Sequence, residues 1–230
     1  MKKNIIISVI MLMLVILCEF LIWDKIVVPS EVRDYDLVKA KELVDKFYTD
    51  NYIISSNVFK EGMTEKYKIS MAFNESNKVK EYECSEIYKD TTSDSEGIVV
   101  GDGTFCDGKV KGLQYADLEK AYKDLFGKEA KLAKRGIGII DYISDENLFV
   151  FLSCRCGGVD LTKYIYDVKD ASIKGSDLTI NVYYAELEEE EEIDVKKYIN
   201  ENKDKMSIYQ MDFVKEGKKF KLLEVKKVNK

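Results

Sequence analysis

The polar and apolar positions of this 230-residue chain follow three patterns in turn. The first is an unbroken apolar run. After Lys2 and Lys3 no formal charge occurs from Asn4 to Cys18, and beyond Glu19 the run continues through Phe20, Leu21 and Ile22 to Trp23. Ile5 to Trp23 is nineteen residues, about 28 Å as a helix, close to the ~30 Å hydrocarbon core of a bilayer. The run has no polar face, so it reads as a membrane anchor rather than a core helix. Ile5, Leu12 and Leu17 lie within it, and Trp23 sits at the interfacial level that suits an amphipathic ring. The pattern predicts a transmembrane signal-anchor over 1–25, a juxtamembrane linker over 26–34 and an extracytoplasmic domain over 35–230. The lysine pair keeps the N-terminus cytoplasmic.

The second pattern is helical. Leu37, Ala40, Val44 and Phe47, widened by Leu43 and Tyr48, predict a helix capped by Asp34 or Asp36. Leu118, Tyr122 and Leu125, joined by Tyr115, Ala121 and Phe126, predict another that ends at Gly127. A short helix is expected from Val195 to Asn200.

The third pattern is alternation. Tyr67, Ile69, Met71 and Phe73 alternate with Lys66, Lys68, Ser70 and Ala72, which predicts a strand; Asn74 to Asn77 turns it into a partner from Val79 to Tyr88. Thr91 to Gly103 reads as loop, brief strand at Ile98-Val99-Val100, loop. Strands follow around Ile137 to Ile143 and Leu148 to Cys154. A hairpin pairs Tyr164–Ile173 with Leu178–Tyr184 through Gly175, Ser176 and Asp177. Its second strand turns Leu178, Ile180, Val182 and Tyr184 inward and Thr179, Asn181 and Tyr183 outward. A last hairpin pairs Ile208–Val214 with Phe220–Val225 across Glu216-Gly217-Lys218. Helices first and hairpins later give an α+β class: an N-terminal transmembrane helix, then helices packed on a curved antiparallel sheet.

Composition narrows the function. The chain carries a formal charge of −6; residues 1–23 hold two lysines against one glutamate, so the remainder carries −7. A domain of that sign is a poor nucleic-acid binder. The chain contains no histidine, which removes Ser-His-Asp and Cys-His catalysis and leaves any zinc site to cysteines and carboxylates. No catalytic constellation, metal site or cofactor site emerges.

The anchor has two rivals, a cleaved signal peptide and a lipoprotein signal at Cys18. The residues from Leu17 to Trp23 lack the small side chains a peptidase requires, and Leu17 departs from the small residue that precedes a lipidated cysteine. Beyond Cys18 stand four cysteines, Cys84, Cys106, Cys154 and Cys156. In an exported domain they permit two disulfides, or they serve as small buried hydrophobes. Cys154 and Cys156, two apart on a strand, share a face and do not bond each other, so each could pair with Cys84 or Cys106.

Cys154-Arg155-Cys156-Gly157-Gly158 could support thiol exchange, although a strand end with two inward cysteines explains it better. Asp102, Gly103, Asp107 and Gly108 lack the spacing of a calcium loop and read as a glycine-rich turn. Gly136 and Gly138 lack the context of a phosphate loop. The acids from Glu186 to Glu192 read as a solvated run. The fifteen tyrosines read as half-buried sheet residues, and an exposed cluster of them would be a binding surface.

The segments Ile173–Tyr184 and Ile208–Val225 carry a resemblance to the closing strands of cystatin-like and NTF2-like α+β proteins. The aromatic helix ending in Leu125-Phe126-Gly127 resembles that of exported or membrane-anchored proteins of low-GC Gram-positive bacteria. These resemblances imply a fold, and no activity. The expected function is a single-pass, non-catalytic binding or interaction module at the cell envelope. Its partners would be the membrane, through the N-terminal helix, and a protein or cell-envelope ligand; nucleic acid is not among them. The alternatives are an exported thiol-redox or carboxylate-dependent enzyme and a structural accessory subunit of a membrane complex.

Overall fold

The structure, a computed structural model, describes residues 31–49, 56–89, 93–94, 97–101, 104–154, 162–188 and 194–228. The anchor run lies outside these residues. Among those described, no helix is long and apolar enough to cross a membrane. The class is α+β, with six described helices and antiparallel sheets.

Helix α1 (Leu37–Lys46) starts where the Asp36 carboxylate accepts from the Val38 and Lys39 amides, so the cap is Asp36 rather than Asp34. Ala40, Val44 and the following Phe47 are buried as expected, but Leu37 belongs to the exposed first turn. Helix α2 (Val58–Glu61) is one turn capped by Asn57.

The chief correction concerns residues 65–75. They form helix α3 (Glu65–Glu75), started by Thr64, whose hydroxyl accepts from the Tyr67 amide at 3.2 Å. The expected hairpin is absent. Strand β4 (Lys80–Glu83) follows, then the short helix α4 (Cys84–Ile87), and β4 pairs with β8 (Lys109–Gln114). The alternation misled because five consecutive residues, Ile69 to Phe73, are all buried. A helix covered on nearly every side displays no polar stripe and so loses its 3.6-residue signature.

Around α3 the elements form layers. Helix α5 (Tyr115–Phe126) packs beside it and ends at Gly127, whose φ of +96° favours glycine. On one side lies the large sheet, ordered β1-β12-β13-β14-β15 from Arg33–Asp34, Thr162–Lys174, Asp177–Glu188, Ser207–Glu216 and Lys219–Val228. Leu178, Ile180, Val182 and Tyr184 are buried on its inner face, as read from the alternation, with Met211, Phe213 and Leu222 beside them. The Tyr35 ring, next to the β1 edge, lies 5.9 Å from the ring of Phe220 on β15. In a flat sheet those edges would stand about 19 Å apart, so the sheet is curled.

On the other side lies a four-stranded sheet ordered β4-β8-β10-β9, completed by β10 (Leu148–Phe151) and β9 (Ile140–Ile143). Its central strand β10 is buried on both faces. Phe149 and Phe151 join the central core, and the Phe73 and Phe151 rings approach to 3.9 Å. Leu148 and Val150 point the other way into a second cluster. On that face Gly112 lies under the Tyr82 ring, where a β-carbon would come within 2.8 Å of it.

The second cluster is covered by α4 and a small sheet ordered β11-β7-β6-β5, from Ser153–Cys154, Thr104–Cys106, Gly97–Gly101 and Ser93–Asp94. The strand expected from Leu148 to Cys154 is therefore split, β10 and β11 serving different sheets. The strand expected from Ile137 is shortened: Ile137 and Ile140 bond each other across a turn at Gly138. Two short strands, β2 (Tyr48–Thr49) and β3 (Ser56–Asn57), pair beside α1. Helix α6 (Val195–Asn202) packs on the outer face of the large sheet through Ile199 against Ile165.

The Tyr67 hydroxyl donates to the Phe47 carbonyl at 2.6 Å inside the core, tying α3 to the end of α1. Tyr67→Phe is expected to lower stability by about 1–2 kcal/mol, since it leaves a buried carbonyl without that donor. Urea unfolding measures this, and an unchanged midpoint would mean the bond contributes nothing.

Candidate functional site

The cysteines resolve first. Cys84 begins α4 and Cys106 ends β7, and the two are joined by a disulfide with Cα atoms 5.6 Å apart. Neither is paired to Cys154 or Cys156, the arrangement weighed from the sequence. β4 pairs with β8 and β7 turns into it, and the Cys84 amide donates to the Gly108 carbonyl at 2.9 Å, so the ladder brings the sulfurs together. Both residues are 2% exposed, among Val110, Leu148, Val150 and Leu152. An apolar shell of that kind keeps thiolates out and suits a structural bridge rather than an exchanging one. Cys154 contributes backbone to β11 opposite Thr104; Cys156, with Arg155, Gly157 and Gly158, lies outside the described residues.

Beside this cap a cavity of about 390 Å³ is lined by Val100, Thr104, Ile137, Ile140, Asp141 and Leu152. Its one carboxylate is already engaged. Tyr88 donates its hydroxyl to Asp141 Oδ2 at 2.9 Å, and the Tyr142 amide donates to Oδ1 at 2.8 Å. Burial, then the Asp141 charge and hydrogen bond, push the Tyr88 hydroxyl far above the ordinary phenol range. It is a fixed donor, not an acid or nucleophile. Gly136 and Gly138 border this cavity, but the Ile137 and Ile140 amides are spent on each other's carbonyls, so the turn presents neither to a phosphate. Gly108, with φ +63°, serves the β7–β8 turn; Asp107 is exposed there, and Asp102 and Gly103 lie outside the described residues.

The largest aromatic cluster sits at the end of the large sheet remote from the β12–β13 turn. Tyr164, Tyr166, Tyr184 and Tyr209 stand on three neighbouring strands, facing Tyr48 and Phe59. The Tyr48 and Tyr166 rings lie 4.5 Å apart, and those of Phe59 and Tyr184 5.0 Å. Their polar ends are pinned. Tyr184 accepts from Asn57 Nδ2 at 2.9 Å and donates to Glu186 at 2.8 Å; Tyr166 donates to Asp45 at 2.9 Å; Lys60 donates to Tyr164 at 3.1 Å. The Lys41 ammonium lies 4.1 Å from the Tyr166 ring centre. Burial first, and then the Glu186 carboxylate, raise the Tyr184 and Tyr209 hydroxyls.

Two carboxylates elsewhere are held by lysines. Lys221, buried on β15, donates to the Asp124 carbonyl, and Lys219 donates to the Asp124 carboxylate at 2.9 Å. Lys219's hydrogen bond holds the Asp124 carboxyl below the usual range. Asp124 and Lys219 edge a polar groove of about 310 Å³ with Lys46, Asp117 and Lys120. On the outer face of the large sheet, burial works to raise Asp212, but donors from Lys226 at 3.0 Å, Gln210 at 2.8 Å and Thr179 at 2.9 Å outweigh it and hold it low. Among the described residues no three histidine, cysteine or carboxylate side chains gather as metal ligands.

The sequence raises an exposed tyrosine cluster only in general terms and does not name which tyrosines gather. The hairpin carrying Tyr164, Tyr166 and Tyr184 is legible, but the register that puts them on one face is not. No family model matches the chain, and no curated protein or solved structure matches it either.

Two outcomes follow. Asp212 is held low in the folded state, so its contribution is present above the ordinary carboxylate pKa and is lost as pH falls through about 4 and below. Asp212→Asn should be less stable than the parent at pH 7, with the gap closing in acid. Urea midpoints across pH check this, and a pH-independent gap would refute a role for the charge. Replacing Cys84 and Cys106 by serine opens a loop of sequence separation 22 and should cost about 3 kcal/mol. Reducing the parent should produce a similar loss by the same assay.

Proposed function

We propose that this chain is a single-pass envelope protein whose N-terminus is cytoplasmic and whose extracytoplasmic α+β domain is a non-catalytic binding or interaction module. The observation that carries the reading is the apolar run from Ile5 to Trp23 after Lys2 and Lys3, whose one charged residue is Glu19 and which is long enough to span a bilayer. The Cys84–Cys106 disulfide supports export independently, because such bridges persist in oxidising compartments.

The use of polar groups supports binding rather than turnover. The Tyr88 and Tyr184 hydroxyls are locked as donors to carboxylates, and the Asp124 and Asp212 carboxylates are held by lysines. A general acid or base needs a pKa near the working pH and an unspent bond to its substrate; these groups have neither. The β12–β15 meander with helices on its inner face is the part on which the cystatin-like or NTF2-like reading rests. The half-buried rings of Tyr48, Tyr164, Tyr166 and Tyr209 at its far end are the surface we assign to a protein or cell-envelope partner, since aromatic residues dominate interface energetics.

Leu223 is an exposed bulge residue on β15, so Leu223→Cys supplies a topology reporter. A membrane-impermeant maleimide should label it on intact cells above the parent background. Labelling that requires permeabilisation would overturn the topology. After acid trapping and denaturation, reduction should expose two further thiols, and both should vanish in the Cys84→Ser/Cys106→Ser variant.

A further inference from the structure

The end of the large sheet opposite the tyrosine cluster is where the chain enters the fold, and its surface chemistry is unusual. Strand β1 adds to the edge of β12 with Arg33 opposite Ile173 and Asp34 opposite Ser172. The Tyr35 amide then donates to the Ala171 carbonyl at 2.9 Å, and its ring seats against Phe220. The entry point is therefore clamped to the sheet. Around the clamp three large apolar side chains face solvent: Val32 at 66%, Leu37 at 50% and Val38 at 69% exposure. Among the described residues only Val99, Val195 and Leu223 are comparable, and these are scattered over other elements. Arg33 and Lys39 flank the apolar group together with Glu31, Asp34 and Asp36, all five exposed.

Chain length says what lies against this surface. Seven residues, 24–30, separate Trp23 from Glu31. Fully extended they reach about 25 Å. If Trp23 marks the outer interface, as the proposed anchor requires, the nine residue steps from Trp23 hold Val32 within about 32 Å of the headgroups. Lipid headgroups accept apolar side chains at the acyl boundary and arginine or lysine at the phosphate level.

We infer that the Val32–Leu37–Val38 surface rests on the outer face of the bilayer, so that the domain stands on its β12–β13 turn end. The inference rests on the anchor reading and adds an orientation to it. Tyr164 lies eight residues along β12 from Ser172, roughly 26 Å at strand rise. The tyrosine cluster is then held outward, presented to the partner and away from the lipid.

The lone tryptophan of the chain makes the test separable. The full-length protein is reconstituted into phosphatidylcholine vesicles with and without lipids brominated near the headgroup. In the parent, Trp23 reports the anchor. In a Trp23→Phe background, Val38→Trp reports the proposed contact and Val195→Trp, 43% exposed at the start of α6, reports an outward surface. These are surface changes with small expected effects on stability.

Trp23 should be quenched in the parent, and the V38W indole should be blue-shifted and quenched several-fold more strongly than that of V195W. Quenched Trp23 with V38W no more quenched than V195W would leave the anchor standing and overturn the lipid contact. A blue shift of V38W without quenching would also overturn it, pointing to a second copy of the chain on that surface. Unquenched Trp23 would overturn the anchor and the inference with it.

Discussion

The structure depends on the burial of helix α3. Tyr67, Ile69, Met71, Ala72 and Phe73 are all almost completely removed from solvent. Each of the larger side chains contributes roughly 1.5–3 kcal/mol on burial. A helix that apolar cannot lie on a surface, so it requires covering elements on both sides. The large sheet and its helices supply one cover and the β4-β8-β10-β9 sheet supplies the other. Specific contacts hold α3 in register: the Tyr67 hydroxyl on the Phe47 carbonyl at one end and the Phe73 ring on Phe151 at the other.

That arrangement has a consequence for the second sheet. With Phe149 and Phe151 committed to the central core, the alternating Leu148 and Val150 must be covered from the opposite side. The cover comprises a four-residue helix and strands of two to five residues, which cannot bury a large core of their own. The Cys84–Cys106 bridge fastens it, doing for this small lobe what area cannot. Placing the disulfide inside the apolar cluster protects the bridge and completes the cluster.

A single β-bulge decides what the far end of the large sheet presents. From the turn, Ala171 pairs with Ile180 and Asp170 with Asn181, but Val168 pairs with Val182, leaving Lys169 as the extra residue. One residue of slip reverses every side chain beyond it. Without it Tyr164 and Tyr166 would face outward and Ile165 inward. With it the tyrosines join Tyr184 and Tyr209, and Ile165 turns out to meet Ile199 of α6. The bulge thus builds the aromatic cluster and the seat for α6 together.

Elements with one wet face were legible in the chain. Helices α1 and α5, the β12–β13 and β14–β15 hairpins, and the inward set Leu178, Ile180, Val182 and Tyr184 follow from periodicity, because solvent on one side writes its period into the residues. The membrane-length run and the absence of histidine are likewise properties of the sequence alone. Helix α3 was misread because its surroundings are apolar in nearly every direction, so Tyr67, Ile69, Met71 and Phe73 imitate a strand. The Cys84–Cys106 pairing and the gathering of the tyrosines were beyond local pattern, since each depends on partners distant along the chain. Sequence by itself determined which elements have a dry side; tertiary packing decided which dry sides meet, because burial is a property of neighbours rather than of residues.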